Sequence, residues 1–464
     1  MEKVLTLIEV MKSLMRIIAV VAMAIVMVAC VNNYPVPTPE PTPRPTPEEP
    51  DVYSYTIMIY GCGGATLDSG NEHIISVLSD YLDIPEHINV VGQMKWSNGY
   101  RSSWSDGRGG VTRLQYNHTA KRFDNEAFSD NSFRIDNSAN LAEFITWARE
   151  TAPADEYIMV FLGHGNSYHP GFEGDATRGT LRDDEEVAYL GLNAIVEAFE
   201  STGVRFSLTY MISCLMNSIE YATELTPYTS YYLAPNHVHA LSGAELYSIV
   251  EHLISVEKPD ATTIVDAVQY FLDLNFDDFL VEESMTLDLT LTKCGKIAAL
   301  NSEIRKFVDA VVALYDEEAT IGADAMLARY GFTTQTIDEA LGNAYYPIAA
   351  YHSESELQTT EWYRISYGFD IVDIAAQVAA VTNDSALLSA AEKIRNAATQ
   401  AIAYQRAINL EDVESVYYNV TLVNQSQWAS LGYEAAGYES TTFDRVTGWS
   451  RLLKANNATF RHVR

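Results

Sequence analysis

Residues 206–225 read FSLTYMISCLMNSIEYATEL and join two different hydrophobic patterns. Its first part, residues 206–212, is an apolar run rich in aromatic and β-branched residues, with the length of a buried strand. After Cys214 the apolar residues recur at steps of three and four, which is typical of an amphipathic helix. The pattern therefore predicts that Cys214 lies between a strand and a helix, where helix N–H groups would favour its thiolate form.

A second stretch has the same plan and ends in a histidine. Residues 157–162, YIMVFL, form another buried-strand run, and Gly163-His164-Gly165 follows it. A thiol attacks acyl carbons as a thiolate, and a neighbouring imidazole can take its proton. His164 and Cys214 are therefore candidates for base and nucleophile, and the N–H groups of Gly165 and Cys214 are candidate donors to an oxyanion. The residues alone leave a structural alternative open, in which the histidine fixes a turn and the cysteine packs as a small hydrophobic residue.

The composition indicates an acidic globular protein. Its 464 residues, 47% of them hydrophobic, can bury the core of one large domain or two ordinary ones. The formal net charge of −32 argues against nucleic acid as a partner and against charge-driven binding to anionic lipid. Four cysteines without a CxxC motif indicate neither a zinc knot nor a disulfide framework. We expect a monomer.

The N-terminus predicts export from a bacterial cell. Residues 1–30 contain basic residues followed by an apolar run at residues 17–29, which is short for a membrane span and fits a signal peptide. Residues 27–30, MVAC, resemble a bacterial lipobox, so Cys30 is the predicted site of lipid attachment to the cell envelope. An ordinary signal peptide cleaved nearby is the alternative. Residues 31–50, rich in Pro, Thr and Glu, are a predicted extended tether.

The folded body divides into a core at residues 51–255 and a mainly helical region at residues 256–464 packed on it. In the core, apolar runs alternate with helical patterns, which predicts βαβ units, a mostly parallel sheet and helices on both faces. Groups that do chemistry lie beyond the carboxyl ends of such strands, where His164 and Cys214 both fall. The predicted strands are 55–60, 88–94, 111–116, 157–162, 206–212 and 416–423; the predicted helices are 71–82, 140–150, 191–199, 261–274, 300–315, 337–341 and 370–404.

Together these motifs resemble the caspase-like cysteine peptidases, and in particular the clostripain family. Cys-Leu-Met at 214–216, followed by Glu220, Tyr221 and Glu224-Leu225, is similar to that family's DACLM…E-x-A-Y-E-L signature. Looser similarities cover the chain from about residue 52 to its end. Residues 228–235 resemble the segment leading to the family's substrate-pocket loop. Residues 288–290 and 370–376 resemble its later helical motifs, and residues 443–453 resemble its C-terminal segment.

The resemblance implies a caspase-like α/β/α sandwich with a mostly parallel central sheet and a helical C-terminal elaboration. It implies an endopeptidase acting on peptides or proteins, with Cys214 as nucleophile, His164 as general base and no metal in the chemistry. Members are often activated by cleavage between the two strands, so Arg178 and Arg182 are predicted cut sites; an exposed charged loop is the alternative. The residues expected to line the substrate pocket are Ile212, Ser213, Asn236, Ser242 and Glu245.

One position departs from the family pattern. The family places Asp two residues before the cysteine, at the base of a pocket for Arg or Lys, and this chain has Ile212 there. An aliphatic side chain cannot pair with a buried cation, and leaving such a charge unpaired costs on the order of several kcal/mol. Either Glu245 compensates or the enzyme does not prefer basic residues, and we favour the second. The departure also leaves open an inactive surface binding or scaffold protein on a peptidase-derived fold.

Two metal sites are weaker alternatives. His237 and His239 form an H-x-H pair that could bind zinc in a metal-dependent hydrolase, but no third ligand follows at regular spacing. Calcium could bind oxygen ligands between the histidine and cysteine strands, as in some clostripain-like enzymes, although no defined loop motif is present. The candidate calcium ligands are Asp175, Asp183 and Asp184. We predict no required cofactor, with Ca²⁺ as the open alternative.

Overall fold

The computed structural model describes residues 53–63, 67–130, 132–168, 171–173, 189–237, 239, 244–256, 262–278, 287–345, 368–408, 417–433 and 437–460. The strands are β1 (Tyr53–Cys62), β2 (Ile88–Lys95), β3 (Asn98–Arg101), β4 (Asp106–Arg108), β5 (Val111–Asn117), β6 (Arg122–Ser129), β7 (Ala154–Leu162), β8 (Gly165–Asn166), β9 (Gly171–Glu173), β10 (Tyr189–Leu190), β11 (Phe206–Ile212), β12 (Thr229–Ala234), β13 (Leu287–Lys293), β14 (Gly368–Asp370), β15 (Ile402–Ile408) and β16 (Asn419–Thr421). The helices are α1 (Leu67–Tyr81), α2 (Ser138–Thr151), α3 (Leu192–Thr202), α4 (Ile219–Leu225), α5 (Ala244–Ile254), α6 (Thr263–Asp278), α7 (Ile297–Ile321), α8 (Ala323–Tyr330), α9 (Thr334–Gly342), α10 (Ile371–Thr382), α11 (Ser385–Ala401), α12 (Gln425–Ser430), α13 (Thr442–Thr447) and α14 (Trp449–Ala455).

Nine of these strands form one central sheet, in the order β15-β13-β12-β11-β7-β1-β2-β5-β6. The five strands from β12 to β2 run parallel, so their carboxyl ends share one edge of the sheet. Two antiparallel strands complete each side. This parallel centre is what the alternation of strand and helix patterns predicts.

Side chains of the central strands alternate between two apolar cores, one on each face of the sheet. In β7, Met159 and Phe161 belong to the core that also contains residues of α2, α3, α4 and α7. Ile158 and Val160 point the other way, into the core shared with α1, α5 and α6. Strands buried on both faces need continuous apolar runs, which is why β7 and β11 are readily identified in the sequence. The predicted α/β/α sandwich with its helical C-terminal part is confirmed.

The chain beyond residue 255 also supplies strands to the central sheet. Residues 288–290, matched above to a helical motif, lie in β13, and the helix predicted at 370–404 is two helices followed by β15. β13 pairs with β12, and β15 pairs with β13. The two regions of the body therefore share one sheet.

The proposed signal peptide and tether, residues 1–30 and 31–50, lie outside the described residues. Among the helices that are described, none combines the length and the apolar composition needed to cross a bilayer.

Candidate active site

The turns that carry His164 and Cys214 leave adjacent strands at the same level. β7 and β11 are parallel neighbours, and their last register pair is Leu162 with Ile212. The two candidate residues each follow that pair by two positions. Beyond the pair, the N–H of Gly163 donates to the carbonyl oxygen of Ile212 at 3.4 Å, so the turns stay together after the strands end.

Gly165 brings the two turns into direct backbone contact. A β-carbon on this residue would lie 2.5 Å from the carbonyl oxygen of Cys214 and 2.7 Å from Cγ of Met216. No larger residue fits at this distance without displacing backbone, because the nearest atom is a main-chain oxygen. The glycine after the histidine therefore allows close approach of the two turns of the chain.

The sulfur of Cys214 lies against the backbone of the segment that follows β12. Its Sγ accepts a hydrogen bond from the N–H of His239 at 3.3 Å, and the carbonyl oxygen of His239 is 3.9 Å from the sulfur. Leu215, the next residue, has a left-handed φ of 62°. A non-glycine residue in this region is strained, and such strain is concentrated where a chain is held in a particular geometry. Cys214 thus follows a strand, is partly exposed and has a fixed sulfur.

The helix after the cysteine begins later than the sequence pattern predicts. α4 starts at Ile219, with Ser218 as its N-cap accepting from the N–H of Tyr221. The helix therefore begins at Ile219 and not directly after Cys214, and the sulfur accepts from the N–H of His239. Stabilisation of a thiolate by the helix stays a prediction. Burial raises the pKa of the Cys214 thiol, and the N–H of His239 lowers it by a smaller amount.

Burial also lowers the pKa of His164, which is partly buried beyond the carboxyl end of β7. Low polarity around an imidazole disfavours its charged form, just as it disfavours a thiolate. Both shifts favour a neutral thiol on Cys214 and a neutral imidazole on His164 in the resting protein. A neutral imidazole is the form that can accept a proton.

The predicted pocket residues differ in their surroundings. Ile212 has no exposed surface and packs in the core shared with α5 and α6. Ser213 is also buried, and Asn236 uses its side-chain amide to donate to Asp288 at 2.9 Å. Glu245 lies in the first turn of α5, and Ser242 lies outside the described residues. Their role as a substrate pocket stays a prediction.

His237, the first histidine of the H-x-H pair, belongs to a buried network that sequence reasoning missed. Its Nδ1 lies 2.8 Å from Oδ1 of Asp288, and its Nε2 lies 2.9 Å from the hydroxyl of Tyr345. Both ring nitrogens therefore face protein groups. The described part of the chain contains no cluster of three or more His, Cys, Asp or Glu side chains placed to hold a metal. The H-x-H pattern drew attention to His237 as a zinc ligand and gave no sign of this network.

Burial alone would raise the pKa of Asp288, but the charge and hydrogen bond of His237 and the donors of Asn236 outweigh it and lower that pKa. Asp288 is therefore a buried carboxylate. Several other predicted residues fall outside the described residues: Cys30, Arg178, Arg182, Asp175, Asp183 and Asp184.

A separate cavity of about 520 Å³ lies near the carboxyl end of β2, with Trp96, Trp104 and Asn125 among its lining residues. Neither His164 nor Cys214 lines it. In the sheet order, β2 is separated from β11 by β1 and β7, so this cavity is not part of the candidate active site.

Comparison with known proteins shows the family and the fold of this chain. The model of the clostripain family, a family of C11 peptidases, matches residues 105–455. A secreted C11 cysteine protease from Bacteroides thetaiotaomicron, solved in complex with an irreversible peptide inhibitor, matches with a TM-score of 0.56 at 13% identity, over 86% of this chain and 99% of that one. An inactive zymogen C11 protease from Parabacteroides distasonis matches with a TM-score of 0.55 at 12% identity, over 86% and 99%. At these identities the two likenesses show the fold. No curated protein sequence matches.

Proposed function

This chain belongs to the clostripain family of cysteine peptidases, and from that membership we propose that it is an endopeptidase that cleaves peptide bonds through Cys214 and His164. The observation that supports the proposal best is the contact between the two turns, in which Gly165 lies against the carbonyl oxygen of Cys214. The register of β7 and β11, which ends with Leu162 opposite Ile212, supports the same assignment.

The proposed reaction begins with a neutral pair. The sulfur of Cys214 attacks the carbonyl carbon of the peptide bond while His164 takes the thiol proton. The carbonyl oxygen becomes an oxyanion, to which the N–H groups of Gly165 and Cys214 are the proposed donors. As the C–N bond breaks, the imidazolium returns its proton to the leaving amine, and a thioester remains on Cys214.

Water completes the cycle. His164 takes a proton from a water molecule, the resulting hydroxide adds to the thioester carbon, and the carbon–sulfur bond breaks. The proton returns to the sulfur, and the acid product leaves. The two side chains, the substrate and water account for every atom and proton in this scheme, so none of its steps uses a metal or a cofactor.

For substrate choice we propose an uncharged residue at the cleaved position. Ile212 stands where the family pattern has Asp, and its surroundings are apolar. A buried Arg or Lys would find no carboxylate there, and an unpaired buried charge is strongly unfavourable. Glu245 is the acid that could replace the missing partner.

For localisation we propose export, with lipid attachment at Cys30 and residues 31–50 as a tether. The support is the order of basic residues, apolar run, MVAC and a Pro-rich segment. Activation by cleavage at Arg178 or Arg182 belongs to the same proposal, since both lie between the histidine and cysteine strands.

A thiol-directed peptide probe tests the assignment. Full-length protein should become labelled at Cys214 and lose its peptidase activity, while Cys214→Ala should show neither labelling at that site nor activity. Cys294→Ala is the matched control, since Cys294 is a buried cysteine outside the site and its loss should leave labelling intact. A folded protein that is neither labelled nor active would favour the inactive binding or scaffold protein instead.

A further inference from the structure

Asp288 on β13 gathers four donors from two consecutive residues. Its carboxylate accepts from the N–H of Asn236 at 3.0 Å and from the side-chain amide of Asn236 at 2.9 Å. It also accepts from the N–H of His237 at 3.0 Å and contacts Nδ1 of the same residue at 2.8 Å. Asp288, Asn236 and His237 all have no exposed surface. One buried carboxylate thus fixes both the backbone and the side chains at 236–237.

The segment that Asp288 fixes is the one that contacts the nucleophile's turn. The carbonyl oxygen of His237 accepts from the N–H of Leu215 at 2.9 Å, and that of Pro235 accepts from the N–H of Asn217 at 2.8 Å. Two residues beyond His237, the N–H of His239 donates to the sulfur of Cys214. The turn that holds Cys214 is therefore hydrogen-bonded to Pro235, His237 and His239.

Tyr345 closes the network on its other side. Its hydroxyl lies 2.9 Å from Nε2 of His237, while its backbone N–H donates to Oδ2 of Asp373 at 2.6 Å and its carbonyl oxygen accepts from the N–H of Asp370 at 3.0 Å. Asp370 is the N-cap of α10. The imidazole of His237 is therefore held between a strand of the central sheet and the start of a C-terminal helix.

We propose that Asp288 is a positioning residue for Cys214, acting through Asn236 and His237 to set where the His239 N–H meets the sulfur. The proposal rests on the proposed role of Cys214 as nucleophile. A carboxylate is a costly residue to bury, and the flanking inward positions of β13, Thr290 and Thr292, are occupied by neutral residues that are also fully buried. What Asp288 adds to this strand is acceptor capacity for four donors at once.

Asp288→Asn tests the proposal, because it keeps the shape of the side chain but turns half of its acceptors into donors. The second-order rate of Cys214 alkylation by iodoacetamide, followed by peptide-resolved mass spectrometry, should fall about tenfold at neutral pH as the pH of half-maximal alkylation rises by about 1. Turnover of a peptide substrate should fall about a hundredfold, mainly in kcat, since the sulfur is misplaced and substrate contacts remain.

Asp444→Asn is the matched control. Asp444 is another buried acid, and it accepts from the N–H and hydroxyl of Ser450 in the C-terminal helices. Both variants should lower the melting temperature, while only Asp288→Asn should change the alkylation of Cys214. Both variants keep the titratable residues His164 and His239, so these two histidines do not account for a difference in alkylation between the variants. An alkylation rate and a pH midpoint in folded Asp288→Asn that equal those of the wild type would overturn the proposal, whatever its melting temperature.

If Asp288→Asn does not fold, Tyr345→Phe takes its place, since it removes a single hydroxyl from the network. It should slow Cys214 alkylation by about threefold because His237 loses one partner, and an unchanged rate would overturn the proposal. The alkylation rate is measured without substrate, so it is separate from the proposed function. Wild-type protein that stays fully active after Cys214 is alkylated would refute the peptidase role of this thiol and leave the positioning measurement valid.

Discussion

Gly165 and Cys214 approach so closely that a methyl group on the glycine would stand 2.5 Å from the cysteine's carbonyl oxygen. The obstructing atom belongs to the backbone of the nucleophile's own turn. Gly165→Ala should therefore push that turn away from the histidine and lower kcat/KM by about a hundredfold, the cost of a displacement near 1 Å. Peptide hydrolysis measured alongside a folding assay checks this.

Gly295→Ala is its control, because a β-carbon at Gly295 would meet no atom within 4 Å. It should retain wild-type activity. Full activity in Gly165→Ala would mean that the two turns do not need to touch.

The pH dependence of activity should report the lowered pKa of His164. The imidazole acts as base only when it is neutral, and burial keeps it neutral to lower pH than an exposed histidine. The acid limb of kcat/KM should therefore have its midpoint below about 6.5, the ordinary value for histidine. His164→Gln should lose activity at every pH. An acid limb centred at or above the ordinary value would contradict the assignment of His164 as a buried base.

Reporter peptides should show a preference for an uncharged residue at the cleaved position. With Ile212 in place of an acid, Arg and Lys reporters should be cleaved at least about tenfold less efficiently than a matched apolar reporter, since a buried cation lacks a partner. A peptide library measures this directly. A profile dominated by Arg or Lys would be inconsistent with the prediction, and Glu245→Gln would then establish whether Glu245 supplies the missing charge.

Asp370 should make the stability of the fold depend on pH. Burial raises its pKa to about 6, although N–H groups of Tyr417, Asp373 and Val372 oppose the shift. Its protonated form is favoured in the folded state, so its contribution is full below the unfolded pKa and is lost as the pH rises through about 6. The unfolding free energy of wild type minus that of Asp370→Asn should fall by about 2 kcal/mol between about pH 4 and about pH 7.

Denaturant titrations at several pH values measure this difference. Asp384→Asn is the control for the same substitution at an N-cap, because Asp384 caps α11 with the same two-N–H geometry at a less buried position. A difference between wild type and Asp370→Asn that stays constant with pH would contradict the prediction.

Arg113 should not tolerate replacement by lysine. Its guanidinium lies 3.6 Å from the centre of the Phe128 ring and 4.4 Å from that of Trp147, and its Nε donates to Gln93 at 3.0 Å. A lysine ammonium cannot stack flat between two rings or keep the same donors, so Arg113→Lys should lower the unfolding free energy by about 2 kcal/mol.

Arg108→Lys is the matched variant, since Arg108 and Asp106 form an ion pair with mostly exposed side chains. It should change stability by less than about 0.5 kcal/mol. Equal effects of the two substitutions in denaturant unfolding would refute the stacking argument.

The strands that flank the candidate active site could be predicted because they are apolar on both faces. β7 and β11 are uninterrupted hydrophobic runs, and the residues that follow them are the candidate base and nucleophile. β6 could not be predicted, since it is an edge strand with mostly exposed, polar residues. No Gly or Pro separates α11 from β15, so the change from helix to strand after Ala401 has no local signal.

β13 shows a second limit of prediction from local sequence patterns. Its sequence, LDLTLTK, places Asp288, Thr290 and Thr292 on one face, and all three are fully buried although they are polar. Their partners come from distant parts of the chain: Asn236, Gln405 and Tyr418. Only tertiary structure satisfies such a face, so a local pattern cannot identify it. For the same reason the network around His237 could not be inferred from spacing.

The position of β13 in the sheet bears on how this protein can be shortened. A product ending at residue 255 would keep both His164 and Cys214 but lack the strand that covers β12. The backbone N–H and C=O groups on that side of β12 would be left unpaired, where strands of other molecules can hydrogen-bond to them. Such a fragment should precipitate or self-associate, and an apparently complete pair of reactive side chains would not make it a minimal enzyme.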